Sequence, residues 1–320
     1  MTIQSFSSPG WFDGPRIPRL LHAAQRRLHR LKLRMRVDRR DRYAFSIGIF
    51  EGCSPTRFWP SSAARNPVLT RDDVTDVPAA FVADPFMIDW QGRWLMFFEI
   101  MNQARDTGEI GYAVSDDLLD WRYGGVALRE DFHLSYPHVF AWNGQLYMLP
   151  ETYGAGDIRL YRCDGAPDRW SVATTLLEIH GSEPTLVHHQ DKWWLFTETA
   201  PHCTYDCLRL FCAESLDGHW HEHPQSPLVL GNPRTARPGG RVVAVDGRLF
   251  RYSQDCLPEY GTRVRVLEIL TLTPTTYREK EIGDAPLLSP SGDGWNAFGM
   301  HHIDAHQLTD GRWIACVDGR

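Results

Sequence analysis

Apolar residues recur along the chain in paired short runs, each pair split by a two-residue polar turn. The pairs are FVADPFMIDWQGRWLMFFE (81–99), LSYPHVFAWNGQLYMLPE (134–151), GSEPTLVHHQDKWWLFTE (181–198), TARPGGRVVAVDGRLFRYSQD (235–255) and GMHHIDAHQLTDGRWIACVD (299–318). The turns are Gln91-Gly92, Asn143-Gly144, Gln190-Asp191, Asp246-Gly247 and Asp310-Gly311. Such pairs tolerate the positive φ that tight hairpins need, so each segment predicts strand, turn, strand. Pro85, Pro137, Pro184 and Pro238 mark successive units at spacings of 52, 47 and 54 residues, the length of a four-stranded propeller blade. The stretches 109–125, 158–177 and 208–223 supply the outer two strands of three blades, with Trp121, Trp170 and Trp220 in matching places as packing residues. The fifth unit stops after two strands. AFSIGIFEG (44–52) and the stretch around 56–61 can complete it and remove an exposed sheet edge. The expected fold is all-β, a five-bladed β-propeller over 44–320 closed by N-terminal strands. A β-sandwich, the alternative, does not call for five equal units.

Composition agrees, with 12% aromatics, 26 Gly and 21 Pro. The net charge of −6 conceals a basic segment: residues 14–43 hold eleven Arg or Lys against Asp38 and Asp41. The remainder is acidic, which argues against a nucleic-acid surface. Leu20, Leu21, Ala24, Leu28, Leu31 and Met35 fall at helical spacing. Residues 1–43 are therefore expected to form a basic, partly helical extension. It would lie on an anionic membrane surface, dock a partner such as a glycosyltransferase, or pack on the propeller's acidic side. The seven cysteines form no C-x-x-C module. Cys203 and Cys207 beside His202 offer a metal site on one reading and unpaired thiols on the favoured one, and no metal or cofactor is expected. The N-terminal stretch has no apolar core of a signal peptide. Together with free thiols this predicts a cytoplasmic protein, peripheral at the inner membrane surface if the basic segment binds lipid.

In a propeller the residues that open strand one and close strand two of every blade crowd one mouth of the central channel. The openers are Asp84, Tyr136 (after Ser135), Glu183, Arg237, and His301 or His302 with Asp304. The closers are Glu99, Glu151, Glu198, Asp255 and Asp318. Crowded carboxylates raise one another's pKa, as acid–base chemistry requires, and sugar hydrolysis or transfer uses a carboxylate pair. Asp84, Glu183 and Glu151 are the candidate catalytic residues. Glu99, Tyr136, Glu198, Arg237, Asp255, His302 and Asp304 are the candidate substrate-binding residues. For Glu99, Glu151 and Glu198 a structural role, capping backbone or pairing with arginine, weighs equally. His133 and His138 read as structural or surface residues.

ADPF (83–86), HLSYPHVF (133–140), YMLPE (147–151) and the SIGIFEG stretch (46–52) resemble the N-terminal propeller domain of glucosamine inositolphosphorylceramide transferases over roughly 44–320. More distantly the pattern resembles the family-43 glycoside hydrolase and levansucrase clan. That wider resemblance implies a base or nucleophile at Asp84, a pKa-tuning acid at Glu183, a general acid where this chain has Arg237, and a channel histidine at His302. The arginine departs from the hydrolase pattern and would suit an anionic sugar donor. The expected function is a carbohydrate-active protein that transfers glycosyl groups, or serves such an enzyme, in polysaccharide or glycolipid assembly. The alternatives are a glycosidase using Asp84 with Glu151 or Glu198 as a displaced acid, and a non-catalytic sugar-binding or scaffold propeller. The absence of a Gly-rich nucleotide loop favours the last.

Overall fold

The computed structural model describes residues 44–200 and 204–320. The basic extension and Cys203 lie outside the described residues. The propeller belongs to a compact unit spanning Tyr43–Arg320.

Five antiparallel sheets form the blades. Blade I holds β3 (Ala79–Trp90), β4 (Arg93–Asn102), β5 (Thr107–Ser115) and β6 (Arg122–Leu128). Blade II holds β7 (Ser135–Trp142), β8 (Gln145–Glu151), β9 (Ile158–Cys163) and β10 (Trp170–Leu177). Blade III holds β11 (Ser182–His189), β12 (Lys192–Glu198), β13 (Cys207–Ala213) and β14 (His221–Glu222), with β15 (Val229–Leu230) also on β13. Blade IV holds β16 (Val243–Val245), β17 (Arg248–Asp255), β18 (Arg263–Leu272) and β19 (Tyr277–Glu281). Blade V joins β20 (Ile303–Gln307) and β21 (Trp313–Gly319) to β1 (Ser46–Ser54) and β2 (Arg57–Pro60). The N-terminal closure expected from sequence is thus present, with Ile47 opposite Asp318 and Ile49 opposite Cys316.

Each seam between neighbouring blades is one apolar cluster, because strands buried on both faces carry apolar side chains on both. Phe86 and Phe97 of blade I meet Val139 and Met148 of blade II. Leu149 and Leu160 meet Leu186 and Leu195. Phe196 and Leu210 meet Leu249 and Ile269. Phe250 and Val266 meet Ala315 and Val317, and Ile47 and Ile49 meet Val82 and Met87 to close the ring. Trp121, Trp170 and Trp220 stand at or just before the outermost strands, and each indole N–H donates to a carbonyl three or four residues back. Both central residues of the first four inner hairpin turns have positive φ, for example Asn143 at 50° and Gly144 at 75°, as type I′ turns demand.

The openings of the inner strands are irregular in a repeated way. The register with the second strand shifts between Ala83 and Phe86, between Ser135 and His138, and between Ser182 and Thr185. Within those bulges Asp84, Tyr136 and Glu183 have φ of 53°, 49° and 51°, each immediately before a proline. Left-handed backbone at non-glycine residues costs about 1–3 kcal/mol apiece and gathers at functional sites. On blade IV glycine makes the close approach: a Cβ on Gly240 would lie 1.8 Å from the Ile303 carbonyl oxygen.

Candidate functional site

Strand pairing sets a closing acid beside each bulge: Glu99 opposite Ala83, Glu151 opposite Ser135, Glu198 opposite Ser182. Asp84, Glu183 and the acids around them are drawn to one mouth of the channel. Arg237 of blade IV is their common partner. Its Nη2 donates to Glu183 Oε1 at 2.7 Å and its Nε to the same oxygen at 3.1 Å. Nη1 donates to Glu198 Oε2 at 3.4 Å, and Nη2 lies 3.5 Å from Glu151 Oε2. The rings of Tyr205 and Tyr260 each stand 5.4 Å from the guanidinium carbon. All three nitrogens therefore face the protein's own carboxylates. The sequence reading gave Arg237 to an anionic substrate; in the structure the guanidinium meets Glu183, Glu198 and Glu151.

Asp318 of blade V organises the opposite wall. Its Oδ1 accepts the backbone N–H groups of His301 and His302, each at 3.1 Å, and pairs with His301 Nδ1 at 2.7 Å. Its Oδ2 accepts the Asp84 N–H at 3.0 Å, and Glu151 does the same for the Glu183 N–H at 3.0 Å. Two closing acids thus hold two of the three strained openers, Asp84 and Glu183, in place. His301 is stacked on Phe45, with ring centroids 4.4 Å apart, and its Nε2 lies 3.7 Å from Asp84 Oδ1. His302 Nδ1 lies 3.8 Å from the same oxygen. Asp84 Oδ1 and Glu183 Oε2 are buried without completing a hydrogen bond.

The electrostatics follow. Burial pushes the Asp84 carboxyl well up, and the negative charges of Asp318 and Glu99 push it further. Burial also raises Glu183 and Glu198, against the pull of Arg237. Asp318 goes the other way: burial would raise it, but His301 beside it holds it down. Burial keeps His302 neutral, pushed down to about 4. Carboxyls with oppositely perturbed affinities for protons share one small volume, the usual sign of a site built for a ligand or a reaction.

Other sequence candidates sit elsewhere. Asp255 is bonded to Arg265 at 2.8 Å and accepts the Leu257 N–H, a structural pairing. Glu99 faces His133 Nε2 at 3.3 Å, while His133 Nδ1 accepts the Gly108 N–H, so this pair forms part of the rim. The Tyr136 hydroxyl lies 2.8 Å from Thr185 Oγ1 and accepts the Gly240 N–H at 2.8 Å. It braces blades II, III and IV below the mouth. Asp304 is deeper still. It pairs with Arg241, accepts the Met87 N–H at 2.7 Å and contacts His306 Nε2 at 2.9 Å, a sealed network rather than a mouth residue. His138, buried, accepts the Leu186 N–H. Tyr205, Tyr260 and Arg241 were not singled out from sequence, and His301 was offered there only as an alternative to His302. The tyrosines come from loops outside the repeat, whereas Arg241 could have been noticed as the second arginine of RPGGR.

Fold and site together define a five-bladed propeller with an acidic, strained channel mouth. The chain belongs to the family described as glucosamine inositolphosphorylceramide transferase 1, N-terminal, which matches residues 38–320. It is 35% identical over 298 residues to glucosamine inositolphosphorylceramide transferase 1 of Arabidopsis thaliana, covering 86% of this chain and 39% of that protein. It is 34% identical over 296 residues to the Oryza sativa subsp. japonica protein of the same name, covering 86% and 40%. The chain thus spans about two fifths of the length of these relatives. Among solved structures, the catalytic domain of Coprinopsis cinerea α-L-arabinofuranosidase is similar with a TM-score of 0.56 at 12% identity, covering 82% of this chain and 84% of that one. An exo-1,5-α-L-arabinanase from a bovine ruminal metagenomic library gives 0.52 at 9%, covering 70% and 86%. These likenesses concern the fold alone.

Proposed function

We propose that this chain is a carbohydrate-active propeller that recognises a sugar bearing a protonated amine, as the sugar-binding component of a glycosyl-transferring system. The observation that carries this reading is the charge of the mouth. Among the described residues, Glu151, Glu183 and Glu198 share one guanidinium, Arg237, whose charge also reaches Asp84, and Asp84 and Glu183 retain buried oxygens without partners. A cation is the ligand such a surface lacks, since charge-assisted bonds to an ammonium would satisfy those oxygens. The name of the plant relatives, which specifies glucosamine, supports the same sugar class. Arg237 at the position where the resembling hydrolases carry a general acid favours recognition over hydrolysis. The alternative, glycosyl transfer or hydrolysis by this chain itself, draws on Asp84 with the His301–Asp318 pair beside it.

Isothermal titration with glucosamine, N-acetylglucosamine and glucuronate tests the reading. Glucosamine should bind about ten-fold or more tighter than its N-acetyl form, one charge-assisted bond being worth roughly 1.5–3 kcal/mol. Glu183→Gln should erase most of that preference. A preference for glucuronate, or equal affinity for all three, would refute it. Turnover of a sugar donor by the isolated chain, abolished in Asp84→Asn, would move the chain from recognition to catalysis.

A further inference from the structure

We propose that the rim between blades II and III, at Tyr153 and His180, is a second sugar subsite, which stacks the next ring of a glycan whose amino sugar enters the mouth. The proposal rests on the mouth reading for where the glycan begins and adds what holds its second ring. Tyr153 follows the mouth acid Glu151 by two residues, and His180 precedes Glu183 by three. Both acids reach Arg237 Nη2, Glu151 at 3.5 Å and Glu183 at 2.7 Å, and Glu151 also accepts the Glu183 N–H. Two residues of extended chain span about 7 Å at most. Tyr153 therefore stands within one sugar ring's reach of the acids.

The tyrosine is exposed and yet fixed. It is 41% exposed and opens a single 3-10 turn, Tyr153–Ala155. Its carbonyl oxygen accepts the Gly156 N–H and pairs with His180 Nδ1, each at 3.0 Å. The two rings lie 4.9 Å apart at 48°. Just before the turn, the buried Thr152 hydroxyl donates to the Asp157 carbonyl. Beneath the turn is Phe132: a Cβ on Gly154 would lie 3.0 Å from the Phe132 Cβ. Phe132 in turn packs on the apolar seam of blades I and II, with the Arg159 guanidinium 5.2 Å from its ring. The other mouth tyrosines, Tyr205 and Tyr260, stand over Arg237, whereas this turn holds a large ring out to solvent beside the acids.

The histidine supplies the polar half. A carbonyl oxygen only accepts, so the neutral His180 ring carries its proton on Nδ1 and Nε2 is an acceptor. The pair offers what one pyranose ring calls for. The electron-rich aromatic face attracts the polarised C–H bonds of the sugar's apolar side, and an imidazole nitrogen beside it accepts from a hydroxyl. Such a platform reads the ring and not its amine, so it is separable from the mouth by experiment.

Titration calorimetry with glucosamine and with its 1,4- and 1,6-linked dimers makes that separation. The better dimer should bind about ten-fold tighter than glucosamine, the gain expected from stacking a further ring. Tyr153→Ala should remove the gain and leave the affinity for glucosamine unchanged, whereas Tyr153→Phe should keep it. His180→Ala should weaken the dimer alone, about three-fold, through one lost hydrogen bond. The glucosamine titration of each variant verifies that its mouth is folded. Glucosamine binding with no gain for either dimer, or a gain that survives Tyr153→Ala, overturns the rim subsite and leaves the mouth reading standing. Failure of the amine reading looks different: glucosamine and N-acetylglucosamine then bind alike, while the gain of the acetylated dimer over its monomer still falls with Tyr153→Ala. Absence of binding by every monomer and dimer overturns both.

Discussion

The mouth of the propeller channel and its deeper part are built from the same parts and differ in how they are balanced. At each level an arginine of blade IV meets acidic side chains of other blades. Deeper in the channel, Arg241 pairs with Asp304 and its Nη2 also donates to the Met87 and Val139 carbonyls, each at 3.2 Å. Asp304 is in turn filled by Arg241, the Met87 N–H and His306. One cation meets one anion, and blades I, II, IV and V are tied together without leftover valence. At the mouth, one cation meets several anions, buried oxygens stay without partners, and the backbone of Asp84 and Glu183 is strained. A fully satisfied buried network is architecture. A network left acidic and strained, in the same protein, is the one to associate with a ligand.

Mutations should separate the two levels in order of effect. Arg241→Met strands the buried Asp304 carboxylate and should cost about 3–5 kcal/mol in urea unfolding. A loss below about 1 kcal/mol would mean that the deeper level is not the structural tie described. Arg237→Met should cost less, roughly 1–3 kcal/mol, because carboxyls at the mouth can take up protons instead. Burial already raises Glu198 above its ordinary value. The folded state then binds more protons than the unfolded one above about pH 4.5, so stability should recover as pH falls towards that value. A variant whose stability falls monotonically with acid would contradict this. Away from both levels, Glu109 is bonded to Arg129, Arg105 and Asn102. Burial would raise its carboxyl, but the two arginines hold it below its ordinary value of 4.5. The pairing therefore stabilises the fold above about pH 4.5 and is lost as pH falls through the lowered folded value. With Arg105 and Arg129 partly exposed, Glu109→Gln should cost only about 1 kcal/mol at neutral pH and less in acid, measured by thermal melts across pH.

The ring was legible in the sequence because every blade repeats an inner hairpin, four of the five turns ending in Gly and four of the five units carrying a proline at the inner strand, and these signals have local causes. The strained openers were marked too, since each precedes its proline. What the sequence left open was depth. Arg237 and Arg241 are four residues apart in one irregular stretch before β16, yet they meet different partners, Glu183 and Asp304. Residue type alone does not say which arginine meets the many acids and which meets the single one. The same ambiguity moved Asp304 to the mouth in the sequence reading, where the pairing of Asp304 with Cys316 places it deeper. Asp255 was drawn in by its equivalent position, but Arg265 on the neighbouring strand claims it, a cross-strand pairing that no repeat reveals. Tyr205 and Tyr260 lie in loops with no periodic signal at all.

The central claim, that the acidic mouth of the channel and not the balanced network below it receives the sugar, is tested most directly by a crystal structure of the chain with glucosamine. The account predicts the amine within hydrogen-bonding distance of Asp84 or Glu183, with Arg241 and Asp304 unchanged. Sugar density beside Arg241 and Asp304, or an amine turned away from the mouth carboxylates, would contradict it.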